Sequence, residues 1–281
     1  MLWLDDIKDF SKYIHPMEEA TTQLLKKKLI SEEYCNQLLE LYKNFELETL
    51  LPDLIGKSME VTSVQLPKLY SIVKYQSELL EISMPKLYVF EGRYCDVNAE
   101  GLDNPWIQIS TKTLEDYEDD ELEFAVARQM SHIKLGHMRY EVLCEQFSQS
   151  LGIASQLGSS LIAFVPGGTV ASKEAFEVYA AHFKLSASQW SRVSEYTADR
   201  CAFVMCQGNI TAAIAAIKKQ ILNSRLLADE MRLPEYLKQT NAILDLKTPI
   251  ARFSILDEQF PYGPFRIKEL LGFAGSVSTF L

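Results

Sequence analysis

Positive charge is scarce in this sequence. Its 281 residues carry 28 Lys and Arg against 38 Asp and Glu, a net charge of −10 with a pI near 5.0. Phosphate backbones are bound by clustered Lys and Arg. The one compact basic run, Lys26-Lys27-Lys28, reads as a solvated helix face, so nucleic acid is excluded as a partner. Paired cysteines are missing too. Cys35, Cys95, Cys144, Cys201 and Cys206 are odd in number, scattered and without C-x-x-C spacing, which predicts reduced thiols in a cytoplasmic chain. Cys201 and Cys206, five residues apart, point in different directions if they share a helix. The opening Met1-Leu2-Trp3-Leu4-Asp5-Asp6 has no basic region and no apolar core behind it, so no signal peptide is expected. Long apolar runs are absent as well. The candidate, Leu151 to Ala171, is interrupted by Gln156, Gly158, Ser159, Ser160 and Pro166-Gly167-Gly168, short of the roughly 20 apolar residues of a spanning helix. It reads as a buried helix followed by a turn, and no transmembrane segment is expected. What remains is ordinary globular composition, 47% hydrophobic and 23% charged, enough for one large or two small domains.

Residues 1–60 read as helical. Thr21 to Ile30 is one helix, and Ser31-Glu32-Glu33 is a capped start running to about Tyr42. Leu51-Pro52-Asp53 breaks the pattern, and Leu66 to Leu80 resumes it, with Pro67 tolerated in the first turn. The character then changes. Pro85 to Phe90 and Trp106 to Ser110 are strand candidates, separated by the turn formers Asn98, Gly101, Asp103, Asn104 and Pro105, which suggests a hairpin or small antiparallel sheet. From Leu122 to about Gln149 the period is helical again, with Leu122, Val126, Met130, Ile133 and His137 in one stripe and Arg128 and His132 in another, so most of the circumference is expected to be buried. The acidic run Glu115 to Glu123 suits a helix N-terminus through the dipole. Ala187 to Cys206, Thr211 to Leu227, Pro234 to Leu244 and Phe265 to Leu271 supply further helices. No repeat or low-complexity segment is present. The expectation is a helix-rich α+β chain, one domain over 1–281, with 1–60 as an N-terminal helical region and 61–281 as its core.

Two short stretches carry the chemistry. Arg128-Gln129-Met130-Ser131-His132 has the frame of H-E-x-x-H, in which two histidines one turn apart bind zinc and the glutamate is the general base. Arg128 stands at the first histidine and Gln129 at the glutamate; only His132 survives. Downstream, Glu195 and Asp199 lie one turn apart in Ser194-Glu195-Tyr196-Thr197-Ala198-Asp199-Arg200, flanked by residues that suit a buried helix. Alone, E-x-x-x-D is what an ordinary solvated face shows; its weight comes from following the altered H-E-x-x-H helix. His137, five residues after His132, is expected to point away from it. His15, before Pro16, reads as a turn or packing residue, and His182 as a partly exposed core-edge residue.

With these motifs the chain resembles the gluzincin metallopeptidases of the CAAX-prenyl-protease and HtpX-like group, most closely their soluble bacterial members. The resemblance is collinear over most of the chain. Tyr13-Ile14-His15-Pro16 is similar to an N-terminal signature, and Pro85 to Phe90 with Val97-Asn98-Ala99 to the family's strand and Asn-Ala segment. Ile107 to Thr111 and Glu121-Leu122 are similar to the edge strand and the approach to the active-site helix. His132-Ile133 with Gly136-His137 matches the end of the histidine block, and Ser191-Arg192 through Arg200 the block of the third zinc ligand. Phe260-Pro261-Tyr262 and Arg266-Ile267-Lys268-Glu269-Leu270 resemble a His-Pro-Phe segment and the arginine after it.

The resemblance implies a zincin-like fold with a small antiparallel sheet, and ligand positions at Arg128, His132 and Glu195. Arginine has no free lone pair and cannot ligate zinc. Gln129 cannot act as a base, and Phe260 replaces the histidine of the C-terminal segment. The expectation is therefore a pseudopeptidase with no bound zinc or other cofactor, whose vestigial positions are Arg128, Gln129, His132, Glu195, Asp199 and Arg266. Arg128 is expected to pair with Glu195, Asp199 or both. Such a chain would bind a peptide segment, laid along the sheet edge, or a protein partner such as an active homologous peptidase. The alternatives are repurposed zinc-independent chemistry in the same cleft, and an atypical active zinc peptidase.

Overall fold

The computed structural model describes residues 10–29, 31–157 and 173–278. The apolar stretch from 158 onward, read above as the turn after a helix, and the first six residues lie outside them. In chain order the helices are α1 (Glu18–Lys26), α2 (Glu32–Phe45) and α3 (Leu51–Lys57), then α4 (Pro67–Leu80) after strand β1 (Ser58–Glu60). Strands β2 (Lys86–Phe90), β3 (Val97–Glu100) and β4 (Trp106–Ser110) follow. The remainder is helical: α5 (Thr111–Asp116), α6 (Asp119–Leu135), α7 (His137–Leu157), α8 (Lys173–Met205), α9 (Ile210–Leu222), α10 (Arg225–Glu230), α11 (Leu233–Leu244), α12 (Pro249–Asp257) and α13 (Gly263–Ser278). Among the described residues no helix is long and apolar enough to cross a membrane, and all five cysteines are free.

The sheet is mixed, not antiparallel. Its order is β1-β2-β4-β3, with β2 and β4 parallel and the β1–β2 and β3–β4 pairs antiparallel. The expected hairpin fails because the segment read as turns contains β3, which reverses the chain once. β4 then runs in the direction of β2 and slots between β2 and β3, leaving β3 at the sheet's edge.

Local chemistry explains most boundaries. Ser31 caps α2 by accepting from the Tyr34 N–H at 3.1 Å. Pro52 does not end the helical run. It sits in the first turn of α3, where its missing N–H costs nothing, after a wide π-helical turn over Glu46–Leu50. The acids before α6 do serve its start: Asp119, Asp120 and Glu121 fill the first turn, and Glu121 Oε2 accepts from the Glu118 N–H at 2.7 Å. The helix read from 122 to 149 is two helices. Gly136, at φ 70°, ends α6 in the left-handed conformation that a side chain resists, and α7 starts at the next residue. Asn223, at φ 51°, likewise divides the helix expected over 211–227, its side chain holding the 93–95 loop through the Cys95 N–H and the Arg93 carbonyl, both at 2.8 Å.

The main core gathers the inner face of the sheet with α4, α6, α8, α9 and α13, through residues such as Val73, Leu87, Ile107, Val126, Met130, Val204, Ile217 and Leu270. Each fully buried side chain of this size contributes roughly 1.5–3 kcal/mol. A second cluster, Leu25, Phe147, Phe183, Ala187 and Trp190, joins α1, α7 and the first half of α8. α6 and α8 pack together across the middle of the molecule, which brings their polar stripes face to face.

Candidate functional site

Those two stripes and one residue of α13 form the site. Spacing by one helical turn puts Arg128 and His132 on one face of α6, and Glu195 and Asp199 on one face of α8. α13 adds Arg266. All are buried: Arg128 is 5% exposed, Glu195 8%, Asp199 1%, and His132 and Arg266 are similarly enclosed. Such a cluster is tolerable in a core only if its charges are paired, and they are. Arg128 Nη2 donates to Glu195 Oε2 in a short contact, and its Nε lies 2.6 Å from Asp199 Oδ1. That second contact is an ion pair rather than a hydrogen bond, because the Nε–H does not point along it. Arg266 grips the same aspartate with two hydrogen bonds, Nε to Oδ2 at 2.6 Å and Nη2 to Oδ1 at 2.8 Å, and gives a third to Gln220 Oε1 at 2.7 Å. Burial alone would lower the Arg266 pKa; the charge and hydrogen bonds of Asp199, with Glu195 behind it, raise it instead.

His132 completes the cluster from α6. Its pKa is driven well below the usual imidazole range, first by burial and then by its neighbours His137, Arg128 and Arg266, so the ring is neutral. Its Nε2 stands 3.6 Å from Glu195 Oε1, outside hydrogen-bond range. Its Nδ1 lies 3.0 Å from Nδ1 of His137. This overturns the expectation that the two histidines diverge. Five residues on one helix would point apart, but the break at Gly136 turns His137 back toward α6. One ring supplies the N–H of that contact and the other the lone pair.

The contact continues outward. His137 Nε2 is 3.1 Å from Glu18 Oε1, Glu18 Oε2 accepts from the Thr197 hydroxyl, and that oxygen accepts from the His15 N–H at 3.0 Å. Sequence reading missed Glu18 and Thr197. Gly136 just ahead of His137 was a signal for the bent-back histidine; nothing local marks Glu18. His15 Nε2 also pairs with Glu269 at 3.3 Å, so it is more than a turn former, and His182 is exposed, next to the buried Phe183.

Gln129 faces the sheet. Its Oε1 accepts from the Ala99 N–H at 3.1 Å and its Nε2 donates to the Val97 carbonyl at 2.6 Å. The cluster opens into a cleft of about 600 Å³ walled by β3, Glu141 and Glu145 of α7, Trp190 of α8, and the Gln259-Phe260-Pro261 segment. Phe260 is 66% exposed at its mouth. Glu141 keeps 43% of its side chain in solvent, and its carboxyl is nevertheless pushed upward by the desolvating cleft walls and by Glu195. A second concavity, on the outer face of α2 beside Glu32, Asn36 and Glu40, contains none of these groups.

Zinc does not fit this donor set. Among the described residues no group of three or more His, Cys, Asp and Glu side chains is arranged to hold a metal ion. Of the three ligand positions the resemblance implied, His132 and Glu195 carry ligand-type side chains, and a guanidinium already lies on the glutamate.

The comparisons agree on ancestry. The description "Peptidase family M48" matches residues 64–269, a span that takes in all six site positions. "Plastoglobule-localized metallopeptidase 48, chloroplastic" of Arabidopsis thaliana is 22% identical over 236 residues, covering 83% of this chain and 62% of the relative. "Protease HtpX homolog" of Streptococcus uberis is 23% identical over 110 residues, 38% of this chain and 37% of the relative. The chain thus spans less than two thirds of either relative's length. With the family description covering most of its residues and the site falling inside it, this chain belongs to peptidase family M48.

Proposed function

We propose that this chain is a catalytically inactive member of the family that works as a binding or accessory protein, its partner a peptide segment or a protein, including an active homologous peptidase. The observation that carries the reading is the Arg128 guanidinium lying between Glu195 and Asp199. It is a permanent cation in the position of a metal ligand, and its planar fork suits carboxylates. Buried carboxylates left without a counter-charge are costly, so Arg128 acts as a substitute for the metal's charge and ties α6 to α8. Two further features support the reading. A carboxamide at 129 has no lone pair basic enough to take a proton from water, and Phe260 brings no acid or hydrogen-bond donor to the cleft mouth.

The cleft remains, with Trp190, Phe260 and the acids of α7 on its walls, which is what a binding role requires. The free cysteines suit the reducing cytoplasm, where we place the protein.

Metal analysis by emission spectroscopy on protein purified in zinc-supplemented buffer, run beside a peptidase assay, tests the reading. The expected result is no stoichiometric zinc and no cleavage. One zinc per chain, lost on His132→Ala, would overturn it. Capture of partners from the native host then identifies what the chain assists.

A further inference from the structure

The open edge of β3 is already occupied from within. In the β3–β4 ladder, Val97 faces Ile109, Asn98 faces Gln108 and Ala99 faces Ile107. Successive residues of an antiparallel pair alternate in the direction of their main-chain groups. The Val97 carbonyl and the Ala99 N–H point away from β4, since both bond to Gln129 on the cleft side. They are an acceptor and a donor flanking Asn98, the pair that a single residue of an added parallel strand would engage. An antiparallel addition needs the same two groups. Edge strands with free groups of this kind are templates for pairing with another chain.

The Gln129 carboxamide presents one donor and one acceptor on a planar frame, as a peptide group does, and both are used. Glutamate in its place offers only acceptors when ionised: it can hold the Ala99 N–H but faces the Val97 carbonyl with a second negative oxygen. The side chain is buried, 8% exposed, and rises from the same helix turn as Arg128, whose ion pairs hold α6 in place.

We propose that Gln129 is an internal competitor for peptide: its carboxamide closes the cleft edge of β3, and an extended chain pairs with that edge only after displacing it. The partner of the preceding section then meets side chains on the cleft walls rather than the main chain of β3. The reading of the chain as inactive is decided separately, by zinc content and cleavage, so the two fail independently.

The test uses the full chain and a generic strand-forming probe, a fluorescein-labelled eight-residue peptide of alternating Thr and Val with both ends blocked, followed by fluorescence anisotropy. Gln129→Ala should bind the probe about tenfold to a hundredfold more tightly than the parent, the worth of two ordinary hydrogen bonds. Gln129→Glu, which keeps the Ala99 contact, should gain less. By amide hydrogen exchange, Ala99 should be protected in the parent, exposed in Gln129→Ala, and protected again when the probe is added. In the parent alone, the side-chain amide protons of Gln129 should exchange slowly by NMR, a readout that survives even if the variants misfold. Rapid exchange of those protons overturns the proposal. So does equal binding of the probe by parent and Gln129→Ala, or a folded Gln129→Ala whose exposed Ala99 amide the probe leaves unprotected.

Discussion

Replacing Arg128 with alanine should destabilise this protein by about 3 kcal/mol, and the structure explains why the figure sits at the low end of its range. Removing one partner of a buried ion pair typically costs about 3–5 kcal/mol, because the other charge is left in the core without compensation. Arg128 serves two carboxylates, Glu195 and Asp199. Asp199 keeps both hydrogen bonds from Arg266 when Arg128 is gone. Glu195 keeps no hydrogen bond: neutral His132 stands 3.6 Å away, and Arg266 still acts on it, but only through space. One orphaned carboxylate, not two, sets the cost. With a urea dependence of about 3 kcal/mol per molar, the midpoint should move down by about 1 M. A double-mutant cycle with Glu195→Gln separates this charge effect from lost packing. The Glu195→Gln background should recover most of the loss, since an amide needs no cation. An Arg128→Ala variant that unfolds at the parent's urea midpoint, or one that Glu195→Gln fails to rescue, would refute the substitute-cation argument.

Four other outcomes follow from the same geometry. His132 is buried neutral with its pKa lowered, so the unfolded chain takes up a proton there first; its contribution to stability should be full above about pH 6.5 and fall as the pH drops below it, while Glu141, its carboxyl pushed upward, works in the opposite sense. In His132→Gln the slope of urea midpoint against pH over that window should flatten or reverse, because Glu141 still faces the site with its carboxyl pushed upward, and an unchanged slope would assign the titration elsewhere. Gln129→Glu should be less stable than the parent at neutral pH and approach it in acid, because only a protonated glutamate can donate to the Val97 carbonyl; equal midpoints at both pH values would contradict the bonding at β3. Lys219, buried with its Nζ 2.6 Å from Glu121 and 2.9 Å from the Asp116 carbonyl, should cost about 3–5 kcal/mol as Lys219→Met and much less when combined with Glu121→Gln, measured by denaturant melts. The double change Arg128→His with Gln129→Glu rebuilds the ligand set and should bind zinc by emission spectroscopy, while Gln129→Glu alone should restore no cleavage.

The parts of the fold that were legible in the sequence are those set by local periodicity. The 3.6-residue stripe of α6, the capped start of α2 and the five-residue strand Trp106–Ser110 all stand where their residues imply. Arg128 against Glu195 and Asp199 was legible for a different reason: motif order put the three on facing helices, and charge burial demanded a pairing. What escaped were features decided by tertiary context. β3 hides among turn formers because Asn98 is stabilised there by its neighbour strand rather than by propensity. The parallel pairing of β2 with β4 depends on that hidden strand. α12 shows no buried residue, so no apolar stripe marks it, and Thr248-Pro249 at its start was the one signal to read. The approach of His137 to His132 turned on one glycine, which a reading by helical period passes over.

The family match begins at residue 64, yet that point is not a seam in the structure. Glu18 of α1 is the carboxylate that meets both His137 and Thr197, and Leu25 of the same helix is wholly enclosed with Phe147, Phe183 and Trp190. A chain trimmed to the matched residues would open that second cluster to water and strip His137 of the acceptor that orients its ring. α1 is therefore a brace for the helix that carries the site. Its removal should cost solubility and leave the His137 ring beside His132 without its carboxylate partner.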